Sequence, residues 1–186
     1  MHAPDAAGAP LNWDLYRAAV LVIRFEDRAV RVEPRPRGTA EGFFPEPADG
    51  ATVHVITAWN PRGRTAPADT NNRAQGLLLD EIRRRGLTWW PAEGGDACGT
   101  HREESIAVVG LSDAAARDLG RGFDQDAVFA WTPDAWHVLA CDTDAAAVSG
   151  WAASAQARPS PSRPGGNSGN DRPDTPPEGS RGPGKS

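Results

Sequence analysis

Hydrophobic and polar residues alternate near the start of the chain in a way that is typical of β-strands. Residues 18–25 (AAVLVIRF) are apolar and β-branched, and residues 29–33 (AVRVE) alternate strictly. Glu26 and Asp27 lie between the two runs, where a tight turn would join them. The pattern predicts an N-terminal hairpin whose second strand has one face towards solvent.

A third strand is predicted over residues 52–59 (TVHVITAW), ended by Pro61. Side chains of a strand point alternately to its two faces, so Val53 and Val55 share one face and Ile56 lies on the other. Both faces of this strand are therefore apolar.

A long amphipathic helix follows this strand. We expect Asp69 to cap its first turn, and the cations of residues 83–85 to suit its C-terminal end before Gly86. Apolar side chains recur at helical spacing at Ala74, Leu77, Leu78 and Ile82.

The remaining pattern predicts four strands, a Gly-rich loop and a second helix. Ser112 would cap that helix. In chain order, the expected elements are a strand at 87–91, a loop at 93–101, a strand at 105–109, a helix at 113–123, and strands at 126–131 and 136–141.

From Thr52 the expected order is strand, helix, strand, strand, helix, strand, which is the split βαβ pattern of ferredoxin-like folds. We therefore predict an α+β fold with a mainly antiparallel sheet covered on one face by two helices. An N-terminal hairpin and one extra C-terminal strand would complete it.

The domain boundaries follow from composition. Residues 158–186 contain seven Pro, six Gly and five Ser and lack large apolar residues, so they cannot offset the entropy of ordering the chain. We expect a flexible N-terminus at 1–10, a single domain at 11–150, and a disordered Pro/Gly/Ser-rich tail at 151–186.

Charge and residue usage exclude several classes of function. Residues 1–157 carry 15 Arg against 22 Asp and Glu, a balance that disfavours nucleic-acid binding. The only Lys is Lys185, so lysine chemistry in the domain is excluded. Two Cys are too few for a disulfide framework, and no apolar run is long enough to cross a membrane. A cytoplasmic protein is expected.

Seven Trp are numerous for a domain of this size. Trp59, Trp89 and Trp131 fall within strand patterns and are expected in the core, whereas Trp90, Trp136 and Trp151 are expected to be partly exposed. Without interleaved basic residues, they give little support to base stacking.

The junction between the strand at 52–59 and the long helix is the candidate site. It gathers Asn60, Arg62, Arg64 and the Asn71–Asn72 pair between a strand end and a helix start. Unpaired N–H groups and the helix dipole favour anions at a helix start, and the guanidinium of Arg62 could form paired bonds with a phosphate or carboxylate. Asn60 followed by proline is most simply explained as a strand stop with a turn, which needs no ligand.

Other chemistry has simpler explanations. The carboxylates of Glu93, Glu103 and Glu104 flank one loop and could act as an acid–base pair, but solvated carboxylates are commoner in loops. No GxSxG motif surrounds Ser105. A two-Cys, two-His zinc set could be composed, but one pair lies in a Gly-rich loop, and we expect neither metal nor cofactor. That set is Cys98, His101, His137 and Cys141.

Several ordered motifs together resemble an uncharacterised bacterial family, domain of unknown function 3293. The motifs are ITAWNPRGR, the Asn71–Asn72 pair opening a helix, REES at 102–105, the VVGLS turn and GRGFDQDAVFAW, and the resemblance covers about residues 14–142. It implies no activity, but it makes Asn60, Pro61, Asn72, Glu104, Ser105 and Gln125 motif positions. The chain departs from the family at Asp124, where phenylalanine-glycine-glutamine is more usual.

Three functions remain open. The favoured one is a small binding or regulatory module with a polar pocket for a small anionic ligand near residues 59–72. The others are an enzyme acting on a phosphorylated or nucleotide-like substrate, with Glu104 as general base, and a protein-interaction domain. The candidate ligand-binding residues are Asn60, Arg62, Asn72, Glu104 and Gln125; no catalytic residue is assigned.

Overall fold

The computed structural model describes residues 11–45 and 51–156. The expected flexible N-terminus and residues 157–186 of the expected tail lie outside them. In chain order the elements are α1 (Trp13–Arg17), β1 (Val20–Arg24), β2 (Ala29–Arg35), β3 (Ala40–Gly42), β4 (Val53–Thr57), a 3-10 turn (Pro61–Gly63), α2 (Ala68–Arg84), β5 (Thr88–Gly95), β6 (Arg102–Val109), α3 (Asp113–Gly122), β7 (Ala127–Trp131), β8 (Trp136–Ala140) and β9 (Ala146–Gln156).

Eight of the strands form a closed antiparallel barrel. Neighbours follow the order β2-β1-β5-β6-β4-β7-β8-β9, and β9 returns to pair with β2. The closing ladder runs from Ala29 opposite Gln156 to Arg35 opposite Gly150. Closure pairs two strands that would otherwise be exposed sheet edges.

The ninth strand, β3, lies parallel to residues 151–153 of β9, on the edge that β2 does not occupy. To reach it, the chain leaves β2 and crosses over β9 at Gly150. A Cβ atom there would lie 2.3 Å from the main-chain oxygens of Pro36 and Thr39, so only glycine allows this crossing. The N–H of Trp151 donates to the Thr39 oxygen at 2.9 Å.

The predicted ferredoxin-like α+β fold is wrong. The elements from β4 to β7 occur in the expected order, but the sheet does not stop there, because β1, β2, β8 and β9 extend and close it. The two apolar faces of β4 fit a helix-covered sheet or a barrel equally well. Only the pairing of β9 with β2, more than 110 residues apart in sequence, decides between them.

The barrel interior is filled mainly by aromatic and β-branched side chains. Trp131 is fully buried there, and Trp90, Trp136 and Trp151 are also buried, which corrects their expected partial exposure. The reason is that each lies on the inward face of its strand. The cluster is Leu21, Ile23, Val30, Val32, Val53, Val55, Trp90, Ala92, Ala107, Trp131, Trp136 and Trp151.

A second apolar layer lies outside the barrel, beneath α2 and α3. Leu78 and Ile82 of α2 and Leu119 of α3 pack with Ile56 of β4 and its neighbours. This confirms the two apolar faces predicted for β4.

The helix ends follow their local signals in all but one case. Ser112 caps α3, accepting a hydrogen bond from the Ala115 N–H at 3.2 Å. Gly86 follows α2 with φ 67°, as a C-terminal glycine should. Asp69 lies inside the first turn rather than at the cap, because α2 begins at Ala68 after Pro67, two residues earlier than a cap at Asp69 would place it.

Strands β5 and β6 are longer than predicted, since residues 93–95 and 102–104 pair as well. The last strand continues to Gln156, six residues beyond residue 150. In the described residues, no helix has the length and apolar character needed to cross a membrane.

Candidate functional site

The candidate residues named from the sequence lie at one end of the barrel, which we call the polar rim. It is formed by the end of β4, the starts of β6 and β7, and the loop that leads into α2. The register fixes this arrangement, because Thr57 at the end of β4 lies opposite Ser105 near the start of β6.

Asn60 is the central residue of the rim. It is buried, and its Oδ1 accepts hydrogen bonds from the Ala66 N–H at 3.0 Å and the Asn71 Nδ2 at 3.0 Å. Its Nδ2 donates to Glu103 Oε1 at 2.8 Å, and its own N–H donates to Asn71 Oδ1 at 2.9 Å. Asn60 thus ties the loop to both α2 and β6.

Two glutamines hold the main chain on either side of Asn60. Gln75 of α2 accepts from the Ala58 N–H at 3.1 Å. Gln125 donates to the Trp59 oxygen at 2.9 Å. Both are buried. They stabilise the exit from β4, where the ladder no longer satisfies the main chain.

Arg62 is surrounded by carboxylates. Its Nη1 donates to Asp142 Oδ2 at 2.5 Å and to Asp126 Oδ1 at 3.3 Å, and its Nη2 lies 4.0 Å from Asp124. The hydrogen bond to Asp142, with that to Asp126, raises the pKa of Arg62 above its usual range. The sequence interpretation placed a ligand anion here, and the protein's own carboxylates occupy part of that position.

Three rim residues adopt left-handed main-chain conformations. They are Asn60 (φ 49°), Arg62 (φ 54°) and Asp124 (φ 53°), and the Arg62 N–H donates to the Asp124 oxygen at 2.8 Å. Glycine adopts this conformation without steric cost, whereas these three side chains carry a Cβ atom and adopt it at a cost.

Asn72 and Glu104 have exposed side chains, and their chain neighbours Asn71 and Glu103 make the rim contacts instead. Helical spacing could have identified Asn71, because it lies on the same face of α2 as Gln75 and Leu78. Strand alternation could have identified Glu103, which shares the face of buried Ser105.

Two further side chains reach Glu103 or its surroundings. His101 Nε2 lies 3.1 Å from Glu103 Oε1. Burial raises the pKa of Tyr16 above its usual range, and the carboxylates of Asp126 and Glu103 raise it further. Tyr16 therefore remains a protonated hydroxyl. The sequence offered no signal for Tyr16, since α1 was not predicted.

The zinc set considered from the sequence is not assembled. Cys98 is exposed in the β5–β6 loop, whereas Cys141 is buried beneath α3, and this burial raises the pKa of its thiol to about 12. Within residues 11–45 and 51–156, no three His, Cys, Asp or Glu side chains gather in a way that could hold a metal ion.

The fold and the rim define a small closed β-barrel protein with a hydrogen-bonded polar cluster at one end. Residues 56–128, from β4 to β7, match the family model described as Protein of unknown function (DUF3293). This match confirms the resemblance found in the sequence over residues 56–128. Comparisons with curated proteins and with solved structures give no significant match.

Proposed function

We propose that the protein is a binding module that takes a small polar ligand at the polar rim. The main support is the coincidence of strain and polarity at one place. In the described part of the chain, every non-glycine residue with positive φ belongs to the rim. Such conformations cost about 1–3 kcal/mol each and cluster at ligand sites, where a fixed geometry is worth that cost.

The rim residues divide into two roles in this proposal. Asn60 and Gln125 position the loop, because their side chains already bond to the chain itself. Arg62 contacts the ligand. Its side-chain hydrogen bonds in the described residues come from Nη1, and Nη2 lies 4.0 Å from Asp124, so Nε and Nη2 can serve as a fork for two acceptor atoms. Glu103 supplies an acceptor on the other side of Asn60.

The charge around Arg62 favours a ligand that is not strongly anionic. Asp124, Asp126 and Asp142 surround one guanidinium, so a phosphate dianion would meet repulsion at short range. A neutral or zwitterionic molecule, which offers an acceptor pair to Arg62 and a donor to a carboxylate, fits better than the phosphorylated ligand considered from the sequence.

A thermal-shift panel tests this proposal. Amino acids, small amides and nucleosides are compared with orthophosphate and phosphate monoesters at about 10 mM, because two charge-assisted hydrogen bonds contribute only roughly 3 kcal/mol. We expect a neutral or zwitterionic compound to raise the melting temperature. Arg62→Gln should abolish the shift.

Arg64→Gln is the matched control, since it removes the same charge from the same loop two residues away. It should keep the shift. The proposal fails if no compound in the panel stabilises the protein, if both variants respond alike, or if only the phosphates bind.

A further inference from the structure

A surface cavity of about 250 Å³ lies between α1, the end of β2 and the first half of β9, apart from the rim loop. Its lining combines two arginines with an apolar wall. The lining residues are Arg17, Pro34, Arg35, Pro36, Val138, Ala147, Val148 and Ser149.

The apolar part of the cavity is continuous with the core. Val138 and Ala147 are buried and belong to the cluster that α1 covers through Trp13 and Tyr16. Val148 is 40% exposed, so apolar surface remains for a ligand to cover. The mouth of a small barrel is a common place for ligand sites.

The two arginines can bind an anion. Arg17 is more than half exposed, and its ion pair with Asp14 is long, at 3.9 Å. Arg35 uses Nη1 for the Pro34 oxygen and Nη2 for Glu33, and Nε takes no part in these bonds. Guanidinium forks match the geometry of a carboxylate.

The main chain adds a further donor. The β2–β9 ladder stops where Arg35 faces Gly150, because the chain then turns away towards β3. The Ala140 N–H donates to the Ala145 oxygen, so in this antiparallel ladder the odd-numbered residues of β9 form hydrogen bonds with β8. The N–H of Val148, an even-numbered residue, therefore points to the opposite edge of β9, on the side of β2. β2 does not extend far enough to pair with it.

From these features we infer that the cavity binds a small free carboxylic acid with a short aliphatic chain. The carboxylate lies between Arg17 and Arg35, and the chain packs on Val138, Ala147 and Val148. The cavity is smaller than the roughly 300–1,000 Å³ of drug-sized sites, which limits the ligand to a short chain.

Calorimetric titration of the full chain with hexanoate tests the inference. Saturable binding is expected, and Arg17→Gln and Arg35→Gln should each weaken it by at least about tenfold, the effect of one charge-assisted bond. Arg84→Gln, an exposed control at the far end of α2, should leave it unchanged. Hexanol lacks the carboxylate and inorganic phosphate lacks the aliphatic chain, so both should bind far more weakly than hexanoate.

Val148→Glu replaces the apolar wall with a carboxylate that repels a bound acid and competes for the two arginines, so it gives a second route to the same loss while both arginine side chains are kept. Melting curves of each variant confirm folding. The inference is overturned if hexanoate does not bind at about 10 mM, if phosphate binds as tightly, or if the arginine variants bind hexanoate as the control does. Arg62→Gln at the rim should not affect hexanoate binding, which separates this site from the proposed rim site.

Discussion

The two ends of the barrel are held together in different ways. At the end where β4 starts and β7 finishes, aromatic rings interlock: Trp131 meets Trp151 edge-on at 5.3 Å and Phe44 at 4.9 Å between ring centroids. At the polar rim, where β4 finishes and β7 starts, Asn60 and its partners form a network of directed hydrogen bonds.

The difference indicates that the aromatic end stabilises the fold by packing, whereas the polar rim is suited to binding. At the aromatic end, the indole N–H groups of Trp131 and Trp151 are buried without a hydrogen-bond partner among the described residues, so these side chains act through contact area and ring geometry. At the rim, the chain accepts left-handed conformations and concentrates charge. Changes at the first end should alter stability alone, and changes at the second should also alter ligand binding.

The largest expected effect is at the aromatic end. Trp131→Ala removes a fully buried indole and should lower the free energy of unfolding by about 3–5 kcal/mol, measured by urea denaturation. Trp89→Ala is the control, because Trp89 is half-buried outside the barrel beside Arg83. Equal losses in the two variants would show that the aromatic end has no special place in the core.

Asn60→Ala should have the next largest effect. It leaves the Ala66 N–H, Asn71 and Glu103 without their partner, and each loss costs about 1–3 kcal/mol, reduced by access of water. We expect a loss of about 2–3 kcal/mol together with loss of rim binding. Asn72→Ala, at the exposed neighbour of Asn71, should change stability by less than about 0.5 kcal/mol. A neutral Asn60→Ala would contradict the network.

Local patterns predicted most elements but not their assembly. Alternation of apolar and polar residues identified the hairpin and β4, and helical spacing identified α2, because each of these signals lies within a short stretch of sequence. Strand β9 (AAVSGWAASAQ) is rich in Ala, Ser and Gly, which have little strand preference, and its conformation is set by distant β2 and β8. The closed barrel could not be recognised without it.

The same limit applies to the site. Asn60 and Gln125, named from the sequence, both lie at the rim. Choosing between Asn71 and Asn72, or between Glu103 and Glu104, required knowing which residues of α2 and β6 face it. The carboxylates around Arg62 come from two separate segments, the α3–β7 loop and the residues after β8, and Asp142 is 80 residues away from Arg62. No local sequence pattern predicts that these carboxylates lie beside Arg62.

A pH titration tests how a buried histidine, His54, affects stability. Burial lowers the pKa of His54 below 6.5, and the hydrogen bond to Asp113 opposes this only in part. Because the unfolded chain then binds a proton more readily, stability is retained above pH 6.5 and falls as pH falls below it, by at most about 1.4 kcal/mol per unit for one proton. The pKa of His137 is also lowered by burial and adds to the same slope.

His54→Gln should flatten the dependence of unfolding free energy on pH below 6.5. Asn72→Ala, which changes an exposed side chain that does not titrate, is the control and should leave it unchanged. If both variants keep the full dependence of unfolding free energy on pH, His54 is not the source of that dependence.

The smallest expected effect is a gain. Asp124→Gly relieves a left-handed aspartate and should raise the free energy of unfolding by about 0.5–1 kcal/mol in thermal or urea unfolding. Asp134→Gly, in the β7–β8 turn where φ is negative, should instead lower it slightly. A loss at Asp124 as large as at Asp134 would show that the rim main chain is not strained.

Amide chemical-shift mapping of the ¹⁵N-labelled full chain, titrated with the best compound of the polar panel, determines whether the polar rim binds the ligand. We expect shifts confined to amides near residues 58–64, 101–104 and 124–126. These shifts should be absent in Arg62→Gln, and the indole signals of Trp131 and Trp151 should not move. Shifts centred on those indoles, or spread evenly over both ends of the barrel, would contradict binding at the rim.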